Sequence, residues 1–146
     1  MGEMHELRCS DCGYGNKFYL GIGMLYSSER LFYDDRPSLN EVVQNKEITD
    51  EALKLIQTGS KVDDGYGKRL YACPNDFYLF DRFYFKIGDM EPEYPCPYRD
   101  GILKRVDFSK AGPGTTELKF VDGTGFWKCP RCGNNSMNEL SFGNWD

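Results

Sequence analysis

The sequence carries Cys9-Ser10-Asp11-Cys12-Gly13 near one end and Cys129-Pro130-Arg131-Cys132-Gly133 near the other. The Cys-x-x-Cys spacing lets one tight turn, called a knuckle below, aim two sulfur atoms at a single metal ion. The glycine after the second cysteine can adopt a positive φ, so the chain turns away while its N–H groups face the sulfurs. Because zinc prefers four ligands in a tetrahedron, two such turns predict a structural zinc site.

The other two of the six cysteines, Cys73 and Cys96, each follow a strand-like segment and precede a proline. A complete knuckle would carry a second cysteine three residues later, where this chain has Asp76 and Arg99. An Asp76 carboxylate oxygen can bind zinc, whereas a guanidinium is always cationic and cannot. The sequence therefore predicts four knuckle-like turns, two of them short of one cysteine, with these metal ligands: Cys9, Cys12, Cys73, Cys96, Cys129, Cys132 and Asp76.

The grouping of these ligands is predicted from their neighbourhood in the chain. We expect the first knuckle to meet Cys73, with Asp76 as the candidate fourth ligand, and the last knuckle to meet Cys96, with water, Asp100 or nothing in the fourth position. In the alternative grouping, the first and last knuckles share one ion. That arrangement gives zinc its preferred four thiolates and leaves Cys73 and Cys96 as free buried thiols.

Other uses of the cysteines fit the sequence less well. Thioredoxin-type dithiols stand at a helix start, and residues 133–136 make a poor one. Disulfides need an oxidising compartment, which nothing in the sequence indicates. Iron stays open, because sites of four thiolates also suit iron. His5 lies four residues before Cys9, and we interpret it as part of a disordered chain end rather than as a ligand.

Length and composition bound the class of protein. A chain of 146 residues, 40% hydrophobic and 28% charged, predicts one folded domain over residues 1–146. The net charge of −5 disfavours a strong non-specific nucleic-acid binder. The longest largely apolar run, residues 18–26, is too short to cross a bilayer, and the first residues lack a signal-peptide pattern, which predicts a soluble cytoplasmic protein. With one histidine and no recognisable nucleophile–base pair, we expect no enzyme.

The pattern along the chain predicts a β-rich α+β fold, in which short antiparallel strands surround one inserted helical segment at residues 38–58. Ser38 and Glu41 have capping-box spacing, Thr49 begins a second short helix, and Gly59 is a plausible helix end. The aromatic segment 77–87 is interpreted as packing rather than as a base-stacking platform. Residues 6–13 are expected to form a strand that leads into the first knuckle, and residues 16–26 a strand or an extended loop. Further strands are expected at residues 69–73, 77–87, 102–108, 117–121 and 125–128.

The motifs resemble those of small bacterial zinc-ribbon proteins with rubredoxin-like knuckles. The resemblance rests on residues 9–14, 19–24, 71–74, 96–97, 129–133 and 145–146. It implies a zinc-ribbon fold with four cysteine pairs, from which this chain departs at Asp76 and Arg99, and it implies no activity.

The function expected from these observations is that of a non-enzymatic zinc-binding protein, a protein-interaction or assembly module with an unknown protein partner and no membrane partner. Two alternatives stay open. One is a nucleic-acid-binding zinc-ribbon module, and the other is an iron-binding or redox cysteine protein.

Overall fold

The computed structural model of the chain describes residues 2–22, 26–107, 119–123, 129–134 and 137–145. The strands are β1 Gly2–Cys9, β2 Gly15–Gly21, β3 Gly67–Ala72, β4 Leu79–Tyr84, β5 Lys104–Asp107, β6 Lys119–Phe120 and β7 Met137–Trp145. The helical elements are a π-helical turn, Glu29–Tyr33, and the helices α1 Leu39–Val43 and α2 Lys46–Gln57. The predicted β-rich α+β class is confirmed.

The strands form one antiparallel sheet in the order β6-β5-β3-β2-β1-β7, with β4 pairing with β3 off this path. The β1–β7 pair runs from Gly2 opposite Trp145 to Cys9 opposite Met137. Because the two strands are antiparallel, the residues just after β1 lie beside the residues just before β7. This pairing brings the two ends of the chain together.

The first knuckle is the loop of the β1–β2 hairpin, whose two strands approach so closely beside the knuckle that only glycine fits. Gly15 begins β2 opposite Arg8, and a Cβ built on it would lie 1.9 Å from the Leu7 carbonyl oxygen. A side chain cannot be accommodated there unless the backbone moves. The tight strand approach that presents the knuckle therefore requires glycine at this position.

The helical insert falls inside the predicted residues 38–58, but its ends differ from the prediction. Ser38 makes no side-chain capping hydrogen bond, so the predicted capping box is wrong. Asn45 caps α2 instead, since its Oδ1 accepts the Ile48 N–H at 3.1 Å, and α2 therefore starts three residues before Thr49. The helix ends at Gln57, two residues before Gly59, whose φ is 99°.

Several strands are shorter than predicted, or have other boundaries. The segments expected at 77–87 and 102–108 contain β4 and β5, whereas β2 begins one residue before the segment expected at 16–26 and ends at Gly21. The segment 117–121 contains β6, while the strand predicted at 125–128 lies outside the described residues. The sequence did not predict β7 or the π-helical turn. His5 lies in β1 and is only 5% exposed, so its assignment to a disordered end is wrong.

Buried side chains form two clusters. One packs the helical insert against β3, β4 and the loops that follow them, and it includes Phe32, Phe83, Cys73 and Cys96. The other lies under the first and last knuckles, and its members are Leu7, Cys9, Phe18, Leu20, Leu70, Ala72, Leu79, Val106, Phe120, Cys129 and Met137. The two pairs of cysteines thus belong to different apolar clusters, although Phe77, in the turn after Cys73, also packs against the second cluster. Within the described residues, no helix is long and apolar enough to cross a membrane.

Candidate metal centre

The first and last knuckles have the same backbone geometry. In the first, the Cys9 N–H donates to the Tyr14 carbonyl at 2.7 Å and the Gly13 N–H donates to the Cys9 carbonyl at 2.9 Å. In the last, the corresponding bonds from Cys129 and Gly133 measure 3.0 and 2.9 Å. The glycines have φ values of 77° and 78°, the left-handed conformation that their position after the second cysteine predicts.

The pairing of β1 with β7 brings the four thiols of these knuckles together. The Sγ atoms of Cys9 and Cys132 are 3.7 Å apart, and those of Cys12 and Cys129 are 3.4 Å apart. All four Sγ atoms lie within 4.8 Å of one another. A tetrahedron with metal–sulfur bonds of about 2.3 Å has sulfur–sulfur edges of about 3.8 Å. The four thiols therefore fit one tetrahedral metal ion.

The thiols of the centre differ in pKa because their surroundings differ. Burial alone would raise the pKa of Cys129, but hydrogen bonds from the N–H groups of Cys132 and Arg131, together with the neighbouring thiols, lower it to about 7. The N–H of Tyr14 favours the Cys12 thiolate, yet burial and the hydrogen bond with Cys129 prevail and raise the pKa of Cys12. A metal ion binds thiolates, so its binding here releases protons.

The centre is buried on one side and open on the other. Cys9 and Cys129 are 2% and 1% exposed, whereas Cys12 is half-buried and Cys132 is exposed. Solvent therefore reaches one edge of the cluster, which gives a metal ion a way in. With four protein ligands, a tetrahedral ion has no open position for a substrate or a reactive water, as in structural rather than catalytic zinc sites.

Side chains next to the cysteines hold the two knuckles to each other and to the sheet. The Asn134 amide donates to the Asp11 carboxylate at 3.0 Å, across the two knuckles. The Arg131 guanidinium lies 5.8 Å from the centre of the Tyr14 ring. The Tyr14 hydroxyl accepts the Leu79 N–H at 3.2 Å and so links the first knuckle to β4. Sequence reasoning missed these supporting roles; the one available signal was that both Tyr14 and Asn134 follow a Cys-x-x-Cys-Gly segment directly.

The preferred grouping of the cysteines is wrong, because the four thiols of the alternative grouping are the ones that come together. The first knuckle meets the last knuckle, not Cys73, because β1 pairs with β7 rather than with a strand near residue 73. Cys73 and Cys96 lie elsewhere, 2% and 7% exposed, and hydrogen-bond to each other. Burial and this hydrogen bond raise the pKa of the Cys96 thiol to about 12.

Asp76 lies at the second cysteine pair, away from the centre. One carboxylate oxygen accepts the Tyr78 N–H at 3.1 Å, and the other is 3.3 Å from the Arg99 Nε. Its carboxylate is therefore engaged by an arginine, and metal binding by Asp76, Cys73 and Cys96 stays a prediction. Asp100 is exposed, and its backbone carbonyl accepts a hydrogen bond from the Asn75 amide at 3.5 Å.

Compared with known protein families, with curated protein sequences and with solved structures, the chain matches none of them. The arguments for function therefore rest on the geometry of the cysteine cluster and its surroundings.

Proposed function

We propose that the protein is a non-enzymatic zinc-binding protein that serves as a protein-interaction or assembly module. The observation that carries the metal-binding part is the set of four Sγ atoms of Cys9, Cys12, Cys129 and Cys132 within 4.8 Å of one another. Two matched knuckles supply them, as in the zinc-ribbon architecture that the sequence resembles. Reduced thiols suit the cytoplasmic location that the sequence predicts.

Zinc would act in this protein as a structural tie. The ion would join the loop after β1 to the residues before β7. These loops stand on one of the two apolar clusters, so the metal would complete the packing at this end of a small β-rich fold. Because all four ligands are thiolates, the site supplies charge and geometry and no reaction centre.

A groove between β5, β6 and the loop before them supports the interaction role. Its volume is about 440 Å³, and two exposed apolar side chains line it, Ile102 at 45% and Val121 at 50% exposure. Four acidic side chains also line it, Asp89, Glu91, Glu93 and Asp122, together with Lys104 and Arg105, which pair with Asp122 at 3.2 Å and with Glu91 at 3.6 Å. An apolar floor with a partly acidic rim fits a protein segment that carries apolar and basic side chains.

The test of the metal is its content in protein purified under reducing conditions. We expect zinc bound at the cysteine cluster and no visible colour, because zinc–thiolate sites are colourless whereas iron–thiolate sites absorb visible light. If the protein is coloured and contains iron, the metal is iron rather than zinc, and an electron-carrier role is favoured. A metal-free protein would overturn the proposal.

For the interaction role, we expect Ile102→Asp to lose proteins that co-purify with the wild type, with Tyr33→Asp as the matched exposed control.

A row of aromatic rings favours a second candidate, a single-stranded nucleic-acid-binding module. Successive ring centres lie 5.7 to 5.9 Å apart, and an arginine lies over the ring at each end. In order, the row is Arg131, Tyr14, Tyr78, Tyr98, Phe80 and Arg82. Tyr98 is 72% exposed and could stack on a base. Retention on a single-stranded DNA column at moderate salt, lost in Tyr98→Ala, would favour this candidate; we expect no retention, given the net charge of −5.

A further inference from the structure

The turns that carry Cys73 and Cys96 share a backbone hydrogen bond with the knuckles, and the Cys73 turn shares a second one. Each of the four cysteines that begin a turn donates its N–H to the carbonyl five residues later, at 2.7 to 3.2 Å: Cys9 to Tyr14, Cys73 to Tyr78, Cys96 to Gly101 and Cys129 to Asn134. In the Cys73 turn, the Phe77 N–H also donates to the Cys73 carbonyl at 2.8 Å. Phe77 has a φ of 66°, where the metal-centre knuckles have glycine. The chain therefore builds a second pair of turns, residues 73–78 and 96–101, called the second tip below.

In the second tip, a carboxylate takes the position of a thiolate. At the metal centre, the thiols of Cys12 and Cys132 accept the N–H groups of Tyr14 and Asn134, two residues further on. At the corresponding place, Asp76 Oδ1 accepts the Tyr78 N–H at 3.1 Å. The same turn thus aims an anionic oxygen where the metal centre has sulfur.

A guanidinium faces that carboxylate. Arg99 stands where the other turn would carry its second cysteine, and its Nε lies 3.3 Å from Asp76 Oδ2. The Asp76 side chain is only 12% exposed, and the thiols of Cys73 and Cys96 are buried beside it and hydrogen-bond to each other. The largely buried negative charge of Asp76 therefore has a positive partner from within the chain, Arg99, whose own side chain is 64% exposed.

We propose that the second tip is a cation site of the same design as the metal centre, in which the Arg99 guanidinium takes the place of the metal ion. The Asp76–Arg99 ion pair joins the two turns as a metal ion would, so these two turns hold together without metal. If both Asp76 and Arg99 were replaced by cysteine, the second tip would offer four thiolates and would accept a thiophilic divalent cation such as zinc. Metal dependence is then confined to the knuckles at residues 9–14 and 129–134.

The first test adds the two missing thiols with the double variant Asp76→Cys, Arg99→Cys. We expect about one equivalent of zinc per chain more than the wild type binds, because four thiolates complete a tetrahedral site. The double variant Asp76→Ser, Arg99→Ser removes the ion pair without adding thiols, and it should bind no more zinc than the wild type. Counting the difference from the wild type keeps this result independent of the metal content of the first centre. A folded Cys variant with no additional zinc would overturn the proposal.

The second test uses the unmodified protein and does not depend on whether the variants fold. Amide hydrogen exchange is measured with and without a chelator, at three equivalent N–H groups: Gly13, Gly133 and Phe77. We expect chelation to remove the protection of Gly13 and Gly133 and to leave that of Phe77 unchanged. Loss of protection at all three amides would contradict a second tip that is held by an ion pair.

Discussion

Gly133→Ala tests how far the knuckle backbone controls metal binding. Gly133 has a φ of 78°, and a Cβ built there meets nothing within 4 Å, so the substitution adds conformational strain and no clash. An L-residue in the left-handed region costs about 1 to 2 kcal/mol. Because the knuckle closes around the metal, this strain should appear as zinc affinity weakened by about 5- to 30-fold.

The assay is competition for zinc against a chromophoric chelator at fixed pH. Gly59→Ala is the matched control, since Gly59 also has a positive φ, 99°, and open space around its Cβ, but lies beyond α2. We expect Gly59→Ala to lower stability and leave zinc affinity unchanged, and Gly133→Asn to fall between alanine and glycine, because asparagine tolerates the left-handed region. If Gly133→Ala binds zinc as tightly as the wild type, the link between knuckle conformation and metal binding is refuted.

Three further predictions concern the hairpin, a buried tyrosine and the thiols. Gly15→Ala should destabilise the fold by about 1 to 3 kcal/mol or more in urea unfolding, because its Cβ would lie 1.9 Å from the Leu7 carbonyl oxygen. A change within error would contradict the described hairpin. Burial raises the pKa of Tyr94, so the folded state keeps the proton that an unfolded tyrosine loses near pH 10, and stability should be full below about pH 10 and fall above it. Tyr94→Phe removes the hydrogen bond of 2.5 Å from the hydroxyl to the Phe83 carbonyl. This variant should lose about 1 kcal/mol of stability at neutral pH and show a smaller loss of stability above about pH 10. Zinc affinity should drop as the pH falls from about 8 to about 6, because zinc must displace the protons that the raised pKa of Cys12 retains; an affinity independent of pH would exclude thiolate ligands.

The sequence was informative where local chemistry decides the structure. The order Cys-x-x-Cys-Gly predicts the turn, the positive φ of Gly13 and Gly133 and the direction of the sulfurs, and all of these are observed. The helical insert could be placed because its apolar residues recur at helical spacing. The start of α2 could not, because Asn45 and Thr49 are both acceptable N-cap residues, and the hydrogen bond from the Ile48 N–H shows that Asn45 is the one used.

The sequence was uninformative where a distant strand pairing decides the structure. The grouping of the cysteines depends on β7, whose residues 137–145 include asparagine, serine and glycine and show no clean apolar alternation. Without that strand, proximity in the chain favoured Cys73 as a partner for the first knuckle. The pairing of Asp76 with Arg99 was equally hidden, because the positions of missing cysteines do not show that the two side chains meet.

The most direct test of the metal centre is the zinc content of single Cys→Ser variants, prepared under reducing conditions. Cys129→Ser should lose zinc or hold it weakly, because it removes one of four ligands, whereas Cys73→Ser and Cys96→Ser should retain the zinc content of the wild type. Loss of zinc in Cys73→Ser or Cys96→Ser, or full zinc in Cys129→Ser, would contradict a single centre shared by the first and last knuckles.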